Sequence, residues 1–397
     1  MALNVEEIVN QLAGRSSETE LFVLLLFAKR IREIGESGKP LTRKQKEEDL
    51  LEIKRVLDKH NILQKTDVKR LYEAVMNEAY QNSKVNFDYR SIMFLPFVKN
   101  KPLVERLTKF KEQVNTMEVF KTQAFMLRDP RNRKKLIPNP VAEAYNKVVN
   151  EAAEQVTKGI GDYQSAIRRT VKDLADNGMR TVWYEPESGR TYTQRVEAAV
   201  KRNILDNIRD INQETQDELG RQYGADGKEI TVHEHSAPDH EPIQGHQFSN
   251  EEYEKLQNEQ DFKDYKGIKF KAIKRRIGMW NCRHFTFSII LGLNKPNFTD
   301  KELEENIKRN HEGYTDPDGN HRTLYECSQE QRRLERLIRN NKMAQVVAKE
   351  AGDTELAREY QADINKYTDE YNEFSGNCGL PKHPENMRVS GYRKMKI

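Results

Sequence analysis

Leu356, Tyr360, Ile364, Tyr367, Tyr371 and Phe374 recur at steps of three and four, so all six fall on one face of a helix. The same spacing returns along most of a 397-residue chain in which only 36% of residues are hydrophobic and 33% are charged. Stripes this thin exclude a single large core. They require long solvated helices, or burial supplied by partners. With 15 Phe and 16 Tyr, the composition is not that of a disordered polymer. The expected class is α+β and predominantly α-helical, with long helical N-terminal and C-terminal regions around a small α+β module.

Residues 1–127 read as the helical N-terminal region. Ser17 and Glu20 have the spacing of a capping box ahead of LFVLLLFAKRIREI, and helical patterns follow at 42–60, 66–80 and 103–114. RDPRNRKKLIPNP at 128–140 holds three prolines and five basic residues and reads as a linker. The module, 141–325, opens with helices at 141–157 and from Asp162 to the Asn177-Gly178 stop. A hairpin in TVWYEPESGRTYT follows, then a helix from Arg195 to about Gly220. Asn203 and Asn207 on that helix's apolar stripe need hydrogen-bond partners, which predicts a specific neighbour. EITVHEH reads as a strand. In 326–397, Ser328 and Gln331 cap a helix to about Lys349, the Ala-Gly-Asp at 351–353 breaks it, and a second helix runs to Phe374. The result is a helical hairpin with a basic tail.

The net charge of +4 is too small for a general nucleic-acid binder. Its placement is uneven. Lys382, Arg388, Arg393, Lys394 and Lys396 crowd the last eighteen residues against Glu385 alone, and Arg131, Arg133, Lys134 and Lys135 form a second knot. Either group suits DNA phosphates, an acidic protein face, or plain solvation of a tail and a linker. Three cysteines cannot build a disulfide framework and imply a reducing compartment. LFVLLLFA is too short to span a bilayer, and mixed charges precede it. A soluble chain made in a cytoplasm, without a membrane anchor, is expected.

Chemistry concentrates in TVHEHSAPDHEPIQGHQF at 231–248, which holds four of the nine histidines, and in WNCRHF at 280–285. His233, His240, Cys282 and His284 together make a donor set for a structural zinc. The His-x₆-His and Cys-x-His spacings are not those of a zinc finger, although in a strand Cys282 and His284 would share a face. A hydrogen-bonded histidine core, partnered by Asp239 and Glu241, explains the same residues without metal. A nuclease would use His233 and His240 as acid and base, with Arg283 steadying a phosphate. No H-E-x-x-H, Walker A loop, G-x-S-x-G elbow or two-metal carboxylate cluster accompanies them.

Taken in order, these motifs resemble the minor capsid protein 2 family of tailed bacteriophages. The first carries the resemblance through His233, Pro238, His240, Gln244, Gly245 and Phe248. The second does so through Trp280, Asn281, Cys282, Arg283 and His284. SGNCGLPKHPENMRVSGY, the hairpin with Ser188-Gly189-Arg190 and the helix RVEAAVKRNILDNIRDINQ extend the likeness over roughly 145–397. Ala237 stands where the family usually has an arginine, which argues against an anion-binding role resting on that position. The resemblance implies a non-enzymatic head-morphogenesis protein, present in few copies in the capsid interior or at the portal vertex, after synthesis in the host bacterial cytoplasm. Its implied partners are the phage portal protein, a major capsid or scaffolding protein, and the viral double-stranded DNA. Its implied tasks are head assembly, DNA packaging or DNA delivery. Because the chain ends with the tail motif, no fused toxin domain is expected.

Overall fold

The computed structural model describes residues 5–83, 87, 94–117, 123–129, 131–132, 135–157, 163–185, 190–258, 260–264, 266–273, 275–279 and 282–395. Helices make up 64% of the structure and lie at both ends, with a few small sheets between, so the fold is a predominantly helical α+β one. No described helix is long and apolar enough to cross a membrane. The chain folds into two compact units that interleave along the sequence. One is Met1–Val9, Thr66–Thr116 and Arg202–Glu330, and the other is Asn10–Lys65, Met117–Lys201 and Gln331–Ile397.

In the second of these units the apolar face of α1 (Val5–Ser37) buries Leu24, Phe27, Ile31 and Ile34. The Phe27 ring packs 5.3 Å from Phe125 on β1 (Gln123–Arg128) and 5.5 Å from Tyr145 on α4 (Val141–Thr157). Asp49, on α2 (Arg43–Ser83), is buried beneath them. It accepts two hydrogen bonds from Arg30, at 2.8 and 2.7 Å, and one from the Tyr145 hydroxyl. A buried carboxylate is tolerated here because a bidentate guanidinium and a phenol satisfy its lone pairs.

Several local expectations are corrected by tertiary contacts. Ser17 and Glu20 do not start a helix, because α1 runs straight through them. Glu20 is buried instead and accepts from the Met179 N–H at 3.0 Å and from Arg195 at 3.4 Å, while Ser17 donates to Glu197. The two helices expected at 42–60 and 66–80 are the single helix α2. Part of the segment read as a linker is β2 (Leu136–Pro140), which pairs with β1. The sheet order is β2-β1-β3-β4, where β3 is Met179–Glu185 and β4 is Arg190–Arg195. Pro138 and Pro140 are therefore on an edge strand, where a missing N–H costs no ladder bond. The expected β3-β4 hairpin forms, and its turn at 186–189 lies outside the described residues, as does the expected cap Asp162.

The C-terminal hairpin is α9 (Leu324–Glu350) followed by α10 (Thr354–Asn377). Ser328 is not its cap. Thr323 and Glu326 are, each side chain accepting from the other's backbone N–H at 3.2 and 2.9 Å. Asp353 caps α10, and the predicted seam packs inward, with Leu356, Tyr360, Ile364 and Tyr371 buried. The tail folds back on the hairpin. Lys349 Nζ donates to the Arg393 carbonyl, and the Met395 N–H donates to Gln361.

His60 lies buried in this unit with Nε2 3.4 Å from Ser16 Oγ, and burial, aided by Arg15, pushes its imidazole down from 6.5 to about 4. Between those values the unfolded chain holds the extra proton and the folded chain does not, so the fold loses stability as pH falls from 6.5 toward 4. The variant His60→Gln should flatten that loss. Melting temperatures measured at both ends of the window check it, and an unchanged slope would show that other groups carry the acid sensitivity.

Candidate metal centre

The remaining unit holds the histidine-rich motif. Its frame is a three-stranded antiparallel sheet of order β6-β5-β9: β5 is Gly227–Ile230, β6 is Gln247–Ser249 and β9 is Thr286–Ile289. The C-terminal half of α6 (Val196–Tyr223) packs on β9 through Gln213, Gln216 and Gly220. Gln213 accepts from the Thr286 N–H at 2.9 Å, and Ser288 Oγ donates to the Gln216 carbonyl at 2.7 Å. The approach is close enough that a Cβ on Gly220 would meet Ser288 Oγ at 2.6 Å. Asn207 finds no distant neighbour among the described residues, contrary to expectation. Its amide closes on the Asn203 carbonyl of its own helix at 2.7 Å.

On the sheet, Phe248 packs edge-to-face against Phe262 and Phe270, centroids 5.7 and 4.9 Å away. Cys282 belongs to the same buried cluster, with Ile230, Ile243, Tyr253 and Leu256. Ser249 and Glu252 form a capping box that starts α7 (Asn250–Gln257) directly after β6.

The expected strand EITVHEH ends early. β5 stops at Ile230, and residues 231–246 form a chain of turns that returns as β6. Likewise Cys282, Arg283 and His284 precede β9 rather than lie in it. The two motifs still meet, because β5 pairs antiparallel with β9 and Ile230 faces Thr286. Continuing that register by three residues sets His233 beside Arg283 and His284. The Thr231 N–H to Phe285 carbonyl bond, 3.0 Å, carries the pairing past the strand ends. The His233 and His284 rings end 4.5 Å apart, centroid to centroid.

Tight turns then bring His240 back over the sheet. The His240 N–H donates to the Ala237 carbonyl at 3.0 Å, and the Gly245 N–H donates to Ile230 at 2.9 Å. Gly245 has φ +75°, and a Cβ there would meet Leu303 Cδ2 at 2.5 Å. Gln244 accepts through Oε1 from the His233 N–H at 3.0 Å and faces His284 Nε2 at 3.4 Å. The hydrophobic-Gln-Gly step thus makes the turn and clamps two histidines at once.

The outcome is a buried group of His240, Cys282 and His284 whose ligand atoms all lie within 4.8 Å of one another. Cys282 Sγ is 3.4 Å from His240 Nδ1 and 3.6 Å from His284 Nδ1. The far nitrogen of each ring faces an oxygen that only accepts. His240 Nε2 meets the Arg275 carbonyl at 2.6 Å and His284 Nε2 meets Gln244 Oε1. Both rings therefore carry their proton on Nε2 when neutral and turn the Nδ1 lone pair toward the sulfur. Burial, with His233 and His240 beside it, drives His284 down to about 3, so its ring stays neutral. Burial raises the Cys282 thiol, but the His240 contact and backbone donors outweigh it and leave the thiol below its ordinary value.

Of the two carboxylates expected as partners of the histidines, Asp239 lies 3.8 Å from His240 Nε2 but makes its hydrogen bonds elsewhere, and Glu241 bonds outside the group. Asp239 takes a bidentate bond from Arg275, at 2.9 and 3.0 Å, and Glu241 accepts from Asn310 and His311 at 2.7 and 2.8 Å. Arg275 was invisible to motif reading because it acts through its carbonyl, a group every residue has. Arg209, which donates through its guanidinium to the Cys282 carbonyl at 3.1 Å, sits 73 residues from it in sequence, a separation no motif spacing covers. His235 and His246 stay out of the group, the latter with its ring 5.3 Å from Phe270. Pro238 and Arg283 are exposed, and Trp280 and Asn281 lie outside the described residues.

His284 also lines a cleft of about 710 Å³ whose wall carries Arg209, Lys228, Arg276 and Tyr253. Of the basic residues expected to meet DNA or a partner, Arg131 and Lys135 are exposed at the tip of the β1-β2 hairpin. Arg388, Arg393 and Lys394 are exposed on the tail, and Arg133, Lys134 and Lys396 lie outside the described residues. Gly245→Ala should destabilise the fold by roughly 1–3 kcal/mol, through a left-handed backbone and the Leu303 clash. Denaturant unfolding measures it, and a loss under a few tenths would mean that the turn relaxes freely.

No curated protein and no solved structure matches the chain. Residues 99–375, which contain both motifs, the hairpin, α6 and most of the C-terminal helices, match the family of phage minor capsid protein 2. That match covers most of the chain, which belongs to the phage minor capsid protein 2 family and is a phage structural protein of the virion.

Proposed function

We propose that this chain is a low-copy component of the phage head at the portal vertex, where it assists head assembly, DNA packaging or DNA delivery. The family match over 99–375 is the observation that carries this reading. Two features support it. The second unit offers a helical hairpin whose tail backbone is pinned while Arg388, Arg393 and Lys394 face solvent, a surface suited to an acidic protein face or to DNA. Asp49, Glu20 and Glu197 are each held by buried or half-buried hydrogen bonds and ion pairs, which tie together distant segments of that unit as a structural scaffold requires.

A nuclease using His233 and His240 as acid and base fits the geometry poorly. His240 is fully buried, and both of its ring nitrogens are committed, one to Cys282 and one to the Arg275 carbonyl. Neither can reach a phosphodiester without dismantling the turn.

Quantitative mass spectrometry of purified virions tests the proposal, with the portal protein as internal standard. The chain should appear at no more than a few copies per portal and should co-purify with portal complexes after mild dissociation. Abundance comparable to the major shell subunit would sink the portal assignment, as would absence from the particle. Reversing Arg388, Arg393 and Lys394 to glutamate separates the two partners. If DNA is the partner, the salt dependence of binding should drop by roughly 0.9 for each phosphate contact removed. If an acidic portal face is the partner, portal co-purification should be lost with DNA binding unaffected.

A further inference from the structure

We propose that His240, Cys282 and His284, completed by His233, form a tetrahedral binding site for a divalent transition ion of the zinc class that locks the 231–248 turn to the residues before β9. This goes beyond the virion role and does not depend on it.

The first support is the donor arithmetic. Three lone-pair atoms, two Nδ1 and one Sγ, converge in a buried space, and both Nε2 protons point away to carbonyl oxygens. Only one proton, that of the thiol, remains to be shared among them. It satisfies one Nδ1–sulfur contact and leaves the other as lone pair against lone pair. A cation at the centre satisfies all three.

The second support is metric. Ligands at about 2.3 Å for sulfur and about 2.0–2.1 Å for nitrogen, set at the tetrahedral angle around one zinc, lie about 3.5 Å apart. The two sulfur–nitrogen separations are 3.4 and 3.6 Å. Two of the six edges of a zinc tetrahedron are thus already in place.

The third is the outer partners. Ligating imidazoles characteristically give the remote N–H to a carbonyl or carboxylate, which fixes the tautomer and aims the ring. His240 does so to the Arg275 carbonyl, and the Arg275 side chain is itself clamped by Asp239. His284 does so to Gln244, whose same oxygen holds the His233 backbone.

His233 is the fourth ligand. Its Nε2 is buried with no hydrogen-bond partner among the described residues, an unmet requirement in a site made of such groups. Its ring lies against that of His284 and just outside the three-residue group, so a side-chain rotation delivers Nε2 to the centre. Ion binding releases the Cys282 thiol proton to solvent, and one thiolate with three neutral imidazoles leaves the site with a net charge of +1. Soft sulfur with imidazole selects zinc, and cobalt as its spectroscopic stand-in, over magnesium or calcium.

The test uses the full chain. After purification, metal content should be about one zinc per chain, and a strong chelator should lower the melting temperature. Reloading with Co²⁺ should give intense tetrahedral d–d bands and a sulfur-to-cobalt charge-transfer band. Cys282→Ser should lose the charge-transfer band, and this readout survives partial loss of stability because it is recorded on the folded fraction. His233→Ala should keep that band while weakening the metal at least about tenfold, the loss that removal of even an outer partner causes. A folded chain that takes up neither Zn²⁺ nor Co²⁺ at one equivalent overturns the site. So does metal that a mild chelator strips with no change in melting. Unchanged affinity in His233→Ala overturns the fourth ligand and makes the His284 side an open, solvent-completed position toward the adjoining cleft.

Discussion

The antiparallel pairing of β5 with β9 is the constraint on which the histidine-cysteine group depends. Two short motifs some forty residues apart in sequence become neighbours because Ile230 faces Thr286, and the register then runs on past both strands through the Thr231–Phe285 bonds. The register is itself held from behind by Gln213, Gln216 and the bare face of Gly220 on α6, which meet Thr286 and Ser288 side on. Sheet pairing and helix packing therefore enforce one alignment between them.

Around that alignment, polar satisfaction does the fine positioning. One amide oxygen, Gln244 Oε1, serves both the His233 backbone and the His284 ring, and one main-chain carbonyl orients His240. An apolar floor of Ile230, Ile243, Phe248 and Tyr253 keeps water from competing for these bonds. The same economy appears in the other unit, where Asp49 joins Arg30 and Tyr145, and Glu20 joins Met179 and Arg195. A chain poor in apolar residues fills its interior partly with polar groups, and each must then be paired.

This economy fits a virion component. A thin core and a heavily charged surface give modest intrinsic stability, while family membership places the chain among proteins that assemble with others. The pinned tail with outward-facing Arg388, Arg393 and Lys394 illustrates the pattern: backbone committed to the fold, charges left in solvent.

By itself the sequence determined the helical character, the αα-hairpin with its break at 351–353 and inward tyrosine seam, the β3-β4 hairpin and the α+β class. All of these rest on local periodicity and turn chemistry, which neighbouring residues settle among themselves. It also singled out His233, His240, Cys282 and His284, since few side chains offer a metal-type lone pair, and the structure brings the last three of them together. Tertiary structure alone decided the rest. Ser17 and Glu20 have a capping pattern, but burial against Met179 and Arg195 outweighs a cap worth about 1 kcal/mol. Pro138 and Pro140 read as a linker, and an edge position made them a strand. Asp239 stays 3.8 Å from His240 while Arg275 takes its hydrogen bonds, and Glu241 is claimed by Asn310 and His311 from distant segments. Which acceptor a given donor finds is a question of three-dimensional proximity, and no local spacing encodes it.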